Sequence, residues 1–314
     1  MSISVMIPTF RRPEGLRVAV QSVLAQSHRP DEIIIVDNSP EASARAIAAN
    51  ANAVARCPVT YVHEPRPGVS NARNAGFAAA SGRFIALLDD DEVASVDWLK
   101  ALMDTARTLE ADVVFGPLRA EVSAPASLPG QLATRLYSRT GPATDTLLEE
   151  PFGSGNSLID REAFNLPDQP FDPALNQIGG EDDAFFALLA AQGARFGWSA
   201  RAKAVEVVGE ARTNWSHLLS RSFAFGQGAT QNCARTDAVN RAGIAFWMAV
   251  GLGQILVFAP LALLSLPLRR AFAVKALDKA VQGAGKVFWF KGLEPKFYGQ
   301  SGTAAAQDAG SAAA

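Results

Sequence analysis

Residues 84–92, FIALLDDDE, set a short apolar run directly against four acids. A run of this length without polar alternation reads as a strand buried on both faces. Comparable runs lie at 2–8 (SISVMIP), 32–37 (EIIIVD), 59–63 (VTYVH) and 112–116 (DVVFG), each bounded by Pro, Asp or Gly. Helical spacing fills the gaps between them. Pro13 opens a first helix whose Leu16, Val20, Val23 and Leu24 share one face. Further helices are predicted over about 42–51, 70–80 and 96–109. Strand–helix alternation predicts an α/β fold, with a mostly parallel sheet covered by helices on both faces.

The chain has 314 residues, 48% hydrophobic and 19% charged. This excludes a disordered chain and supplies a large core. Lys and Arg number 29 against 31 Asp and Glu, a formal charge of −2 that leaves no electrostatic footprint for nucleic acid. Two cysteines, Cys57 and Cys233, are too few for a disulfide framework or a four-ligand zinc site. The opening residues lack the basic start and cleavage site of a signal peptide, so the chain is expected to begin in the cytosol.

Composition divides the chain into three zones. Residues 1–240 are expected to form one catalytic domain. Within it, Pro/Ser-rich stretches near 123–130 and 141–146 suggest a mobile connection, followed by a strand at 156–159 and helices near 182–192 and 213–225. Residues 244–268 (IAFWMAVGLGQILVFAPLALLSLPL) carry no charge and are long enough to span a bilayer core of about 30 Å. Arg269, Arg270, Lys275, Lys279, Lys286, Lys291 and Lys296 follow, a basic excess that a single crossing would put on the wrong side. With Pro260 and Pro267 interrupting the run, residues 241–300 are expected to form a re-entrant or in-plane membrane-associated helical segment whose basic tail meets anionic lipid. A buried pair of core helices is the alternative. Residues 301–314 are low in complexity and expected to be disordered.

Chemistry is concentrated in a few clusters. In an open parallel sheet, ligands bind at the carboxyl ends of strands. Asp89, Asp90 and Asp91 stand there, and their mutual repulsion is costly unless a cation sits among them. Oxygen donors at this density suit Mn²⁺ or Mg²⁺, with a diphosphate completing the shell. A solvated acidic turn is the plainer alternative, and the strand placement argues against it. Asp37 closes the second strand, either as an acceptor for a nucleotide base or ribose or as a turn former. Arg11 and Arg12 follow the first strand and face either phosphate or solvent. In 64–76 (EPRPGVSNARNAG), Gly68 permits a tight turn and Arg73 can reach above the sheet edge. The second strong cluster is Gly179-Gly180-Glu181-Asp182-Asp183, opening an apolar helix. A cap needs one acid, and three leave one for general-base work and others for a polyhydroxylated substrate. Residues 152–157 (FGSGNS) offer a small-residue loop for close backbone approach. It is not a dinucleotide fingerprint, and neither a phosphate-loop nor an HExxH signature is present. His28, His63 and His217 are isolated in sequence and read as core or surface residues.

In this order, IPTFRR, IIIVDNS, GVSNARNAG, FIALLDDDE, GSGNS and GGEDDAFF resemble the family-2 glycosyltransferases with the GT-A fold. The stretches ARTLEADVVFGPLRA and GGEDDAFF are most similar to the bacterial exopolysaccharide glucosyltransferases of succinoglycan type. The likeness covers about residues 3–230. It implies that Pro8, Thr9, Arg11, Asp37, Arg73, Asp89 and Asp90 bind a nucleoside-diphosphate sugar, a UDP-sugar favoured. It further implies that Asp91 ligates the metal, that Asp182 is the catalytic base, and that Gly155, Asn156, Glu181 and Asp183 hold the acceptor. The Gln-x-x-Arg-Trp motif of processive synthases is absent, although Trp215 and Arg221 lie in the comparable region. Single-sugar, metal-dependent, inverting transfer to a lipid-linked or glycan acceptor is therefore expected, at the cytoplasmic face of the inner membrane. A nucleotidyltransferase and a non-catalytic nucleotide-sugar-binding scaffold are the alternatives.

Overall fold

The computed structural model describes residues 2–176, 179–235 and 239–295. From the amino terminus, β1 (Ile3–Thr9), α1 (Pro13–Leu24), β2 (Glu32–Asp37), α2 (Arg45–Val54), β3 (Val59–His63), α3 (Val69–Ala79) and β4 (Phe84–Leu87) alternate as the sequence predicts. Then come β5 (Glu92–Ala94), α4 (Trp98–Leu109), β6 (Val113–Phe115), β7 (Leu118–Val122) and α5 (Leu128–Tyr137). The remainder holds β8 (Thr146–Leu148), β9 (Ser157–Asp160), α6 (Glu181–Ala191), β10 (Phe196–Trp198), β11 (Ala204–Val208), α7 (Trp215–Arg235), α8 (Arg241–Ser265) and α9 (Arg270–Val287). The chain divides into two compact units, one of residues 2–119 and 138–207, the other of Ala120–Tyr137 and Val208–Pro295.

The first unit is built on an eight-stranded sheet of order β3-β2-β1-β4-β9-β6-β10-β8. Its parallel pairs are β1 with β2 and β4, β2 with β3, and β6 with β10. β9 runs antiparallel between β4 and β6, and β8 runs antiparallel at the edge. The reversal of β9 positions the site. Ser157, the first residue of β9, lies opposite Leu87 of β4 and Phe115 of β6. The loop leading into β9 therefore stands at the carboxyl ends of both neighbours, beside the acids that follow β4.

Apolar alternation sorts the core into two layers. Val5, Ile7, Ile33 and Ile35 pack with Leu16, Val20, Trp98 and Leu102 from α1 and α4 on one face. Met6, Ile34 and Val36 pack on the other with Phe77, Phe185, Phe186 and Leu189 from α3 and α6. Residues 33–36 are fully buried because successive side chains enter opposite layers, each covered by helices.

Three expectations change. The Pro/Ser-rich stretch near 123–130 predicted a mobile connection, but α5 begins there. Pro129 sits in its first turn, where a missing N–H costs nothing, and Leu132, Ala133 and Tyr137 bury one face. Pro260 predicted a break, but α8 runs through it as one helix, although Pro260 has no N–H to donate to the preceding turn. The basic stretch after 269 is the helix α9, whose Ala273, Ala276, Ala280 and Gly283 recur on a buried face between the charges. Lys296 and the tail 301–314 lie outside the described residues.

Candidate active site

The acids after β4 are held in place from β1 and the turn before α1. Thr9 Oγ1, at the end of β1, donates to Asp90 Oδ2 at 2.8 Å. Arg12 Nη1 donates to Asp90 Oδ1 at 3.1 Å and to Asp91 Oδ2 at 2.6 Å. Burial works against the Arg12 guanidinium, but Asp90 and Asp91 outweigh it and raise its pKa. The sequence put Arg11 on the donor side. In the structure Arg11 has φ 55° and turns to Glu41, while its neighbour Arg12 meets the acids. Pro8 precedes Thr9 in β1, in register with Val36.

Asp37 is completely buried, with its acceptor positions occupied by the chain itself. Its Oδ1 accepts from the Ser39 N–H at 3.0 Å and the Ser39 hydroxyl at 2.6 Å. Its Oδ2 accepts from the Ala44 N–H at 2.7 Å and the Tyr61 hydroxyl at 3.0 Å. These four bonds use the lone pairs of a carboxylate, so Asp37 shapes the turn 38–44 that opens α2.

Across the sheet end, α6 begins after Gly180, which has φ 85°, and carries Glu181, Asp182 and Asp183 in its first turn. The partial positive charge of a helix N-terminus favours acids there. Arg73 of α3 joins the two acidic groups. It is ion-paired with buried Glu181, lies 3.9 Å from Asp89, and sits over the Phe171 ring at 5.6 Å. Asp182 is placed differently, accepting from the Ser154 N–H at 3.3 Å and from its neighbour's N–H at 3.0 Å. Burial and the charges of Asp91 and Asp182 raise the Asp89 pKa despite Arg73. Burial, with Asp182 beside it, also raises Glu181 despite Arg73. Burial and the adjacent acids Asp91 and Asp89 push Asp90 up to about 6.

The loop 153–156 lies between the two acidic groups. A Cβ on Gly155 would run into Glu92 Oε1 and stand 2.9 Å from Asp89 Oδ2, so only glycine lets the backbone approach this closely. Asn156, at φ 48°, is an internal brace: its Oδ1 accepts from Trp98 Nε1 at 2.8 Å, and its Nδ2 donates to the Pro117 and Ala202 carbonyls at 2.9 Å. Gly155 and Asn156 therefore shape the loop chiefly through backbone and packing.

Two residues outside the sequence-based assignment control this loop. Glu92 Oε2 accepts from the N–H groups of Asp89 (3.2 Å) and Asn156 (3.1 Å), tying the acidic turn to the loop. Burial first, and then Asp89, raise its pKa well above the carboxylate range. Arg139 donates to the carbonyls of Gly116, Gly153, Gly155 and Asn156 at 2.7–3.3 Å and packs against Phe115 and Phe152. Burial lowers its pKa while Glu92, Asp182 and Asp89 support its charge. No motif surrounds Arg139 in sequence, because its targets are carbonyls brought together by β6 and β9. Glu92 was visible as the fourth acid of the run, but its bond to the Asn156 amide depends on β9 bringing that loop to the end of β4.

Among the described residues, no three His, Cys, Asp or Glu side chains form a cage for a metal ion. The donor set of Asp89 and Asp91 fits the other mode, in which one or two carboxylates hold Mg²⁺ or Mn²⁺ and substrate phosphates complete the shell. His63 Nε2 is 2.9 Å from the Ser39 carbonyl oxygen, and His217 Nε2 is 2.8 Å from the Tyr137 hydroxyl.

Comparison with known proteins places the chain in a family. A family model, glycosyl transferase family 2, covers residues 4–166. The chain is 35% identical over 237 residues to the succinoglycan biosynthesis protein ExoM of Rhizobium meliloti, spanning 72% of this chain and 74% of that one. It is 31% identical over 107 residues to a glucosyl-dolichyl phosphate glucuronosyltransferase of Haloferax volcanii, spanning 33% and 34% of the two chains. Among solved structures, TarS 1-349 of S. aureus, in complex with UDP, superposes with a TM-score of 0.50 over 91% of this chain and 90% of that one. At 16% identity that likeness speaks to the fold alone, which is GT-A-like. With the matched model covering just over half its length and ExoM aligned across most of it, the chain belongs to glycosyl transferase family 2 and is a glycosyltransferase.

Proposed function

We propose that this glycosyltransferase moves one sugar from a nucleoside-diphosphate sugar to a hydroxyl of a lipid-linked or glycan acceptor, with inversion, in exopolysaccharide or cell-envelope assembly. The observation that carries this reading is Arg73, which reaches both Asp89 after β4 and Glu181 at the head of α6. One cleft thereby has a donor side and an acceptor side. The relatives support the substrates: one is named for succinoglycan biosynthesis and another for a dolichyl-phosphate-linked sugar, and TarS was solved in complex with UDP.

Pro8, Thr9, Asp89 and Asp90 line the donor side, with Arg73 beside them, and Asp37 acts through the turn it holds. Asp91, helped by Asp89, would hold Mn²⁺ or Mg²⁺, which when bound stabilises charge on the departing diphosphate. Arg73 holds Glu181, and of the two remaining α6 acids, neither ion-paired among the described residues, Asp182 is the one whose carboxylate meets the loop at Ser154, so Asp182 is assigned to accept the proton. It takes the proton of the acceptor hydroxyl as that oxygen bonds to the anomeric carbon and the carbon–diphosphate bond breaks on the opposite side. Glu181, Asp183 and the loop at Gly155 and Asn156 border the acceptor sugar. The uncharged face of α8 and the basic residues after it bring the enzyme to the cytoplasmic face of the inner membrane, where a lipid-linked acceptor presents its hydroxyl.

The test is a thermal-shift panel of nucleotide sugars with and without Mn²⁺ or Mg²⁺. A ligand that binds the folded state raises Tm by mass action. A cation-dependent rise with one nucleotide class, uridine first, supports the reading. No rise with any nucleotide sugar contradicts it.

A further inference from the structure

The face that α8 turns outward is apolar along its whole length. Phe246, Leu252, Leu256, Val257, Leu263 and Leu264 recur on it, all exposed, with Leu256, Leu263 and Leu264 each at 75%. By length and composition α8 can cross a membrane. Its partner helix argues for another placement.

α9 doubles back along α8, and the contact is close enough to fix the register. A Cβ on Gly251 would stand 2.6 Å from the Gly283 carbonyl oxygen, and one on Gly283 would stand 2.7 Å from that of Gly251. Gly251 lies near the middle of α8. Asp278 and Lys279, four to five residues before Gly283, therefore flank the central turns of α8, roughly 6–8 Å along the axis from the crossing. Asp278 is buried and bonded to Arg135 Nε at 2.7 Å and Ser222 Oγ at 2.8 Å, which ties α9 to α5 and α7. A bilayer-crossing α8 would draw Asp278 and Lys279 to within roughly 6–8 Å of the hydrocarbon centre, together with α5 and α7, which Asp278 holds. Charges at that depth are strongly disfavoured. The other features suit the interface. Exposed Arg241, Arg269 and Arg270 mark the two ends of α8, and exposed Phe246, Phe288 and Phe290 add apolar aromatic area of the kind an interfacial helix buries below the headgroups.

We propose that α8 lies in the plane of an anionic bilayer, its Leu252–Leu256–Leu263 face sunk into one leaflet and α9 above it on the same side. This rests on the membrane contact proposed above and specifies its mode. The apolar area supplies the insertion, and the terminal arginines supply attraction to anionic headgroups.

The test uses the full chain on vesicles of phosphatidylcholine and phosphatidylglycerol. Single cysteines replace exposed Ala242, Leu256 and Leu268 in a chain whose Cys57 and Cys233 are alanine. Co-flotation is expected, weakened more than tenfold by Arg269→Gln with Arg270→Gln. Membrane-impermeant thiol reagent added outside should modify positions 242 and 268 alike, and a fluorophore at 256 should be quenched most by shallow lipid quenchers. On the unaltered chain, external trypsin should cut on both flanks of α8, at Arg241 and at Arg269 or Arg270. Co-flotation with one flank protected, or with deepest quenching at 256, overturns in-plane insertion and leaves membrane contact standing. Failure to float overturns both, and a concentration-dependent dimer without flotation would assign the face to a second copy.

Discussion

Asp182 and Glu181 are neighbours in sequence with opposite fates in the fold. Glu181 is buried against Arg73, whereas among the described residues the carboxylate of Asp182 receives backbone N–H groups alone. Substituting Asp182→Asn is expected to lower kcat by about 10²–10⁴, the usual contribution of a general base. The donor Kd measured by calorimetry should hardly move, and retained kcat would remove Asp182 from the role. Asp90 supplies a second prediction. Its carboxyl, raised to about 6 by burial, keeps its proton in the folded chain over roughly pH 4–6, where the unfolded chain has lost it. Its stabilisation is thus complete below the ordinary aspartate range and is lost progressively as pH rises from about 4 through about 6. The stability of the natural chain minus that of Asp90→Asn should fall from pH 4 to pH 7, and a rise would contradict the burial of this acid. At this scale the sequence was informative where residue type and strand position coincide, as for Asp89–Asp91 and the α6 acids. It was ambiguous for Arg11 against Arg12, since only the backbone turn at Arg11 decides which guanidinium faces inward.

Among elements, β9 has the largest consequence for the site. The sequence marks a strand at 156–159 but not its direction, because apolar spacing is the same for both orientations. Reversal carries the loop 153–156 to the ends of β4 and β6, where Arg139 and Glu92 hold it by its carbonyls and amides. Arg139→Met, which removes the donor from the Gly153 and Gly155 carbonyls, is expected to cost about 3 kcal/mol. That corresponds to a Tm loss of roughly 6–12 °C for a unit of this size. Arg139→Lys, which keeps the charge but not the fork, should recover part of the loss, and a Tm within 1–2 °C of the natural chain for Arg139→Met would rule out the clamp. Gly155→Ala is expected to reduce turnover at least tenfold through the clash with Glu92 and Asp89. Undiminished turnover in that variant would show that the loop has room to retreat.

For the molecule as a whole, the boundary between catalytic and carboxyl-terminal parts is not a single point along the chain. Residues 120–137 belong to the same compact unit as 208–295, so α5 folds with helices far away in sequence. Composition drew attention to the uncharged run and the lysines after it, but not to this arrangement. The reason is physical: α9 buries small residues and one acid, Asp278, whose partners Arg135 and Ser222 lie far off in sequence. Deleting residues 270–295 should therefore unfold the helical unit, seen as a large loss of helical circular dichroism beyond the segment removed. A loss confined to the deleted helix would show that α9 is dispensable. The central claim is that the acids ending β4 and those opening α6 serve one transfer reaction from opposite sides of one cleft. The most direct measurement is an anomalous-scattering map from crystals soaked with Mn²⁺ and a UDP-sugar. The account predicts a manganese peak beside Asp91 and Asp89, bridged to the diphosphate, with the anomeric carbon turned toward Asp182. A peak elsewhere, or a sugar facing away from Asp182, would contradict it.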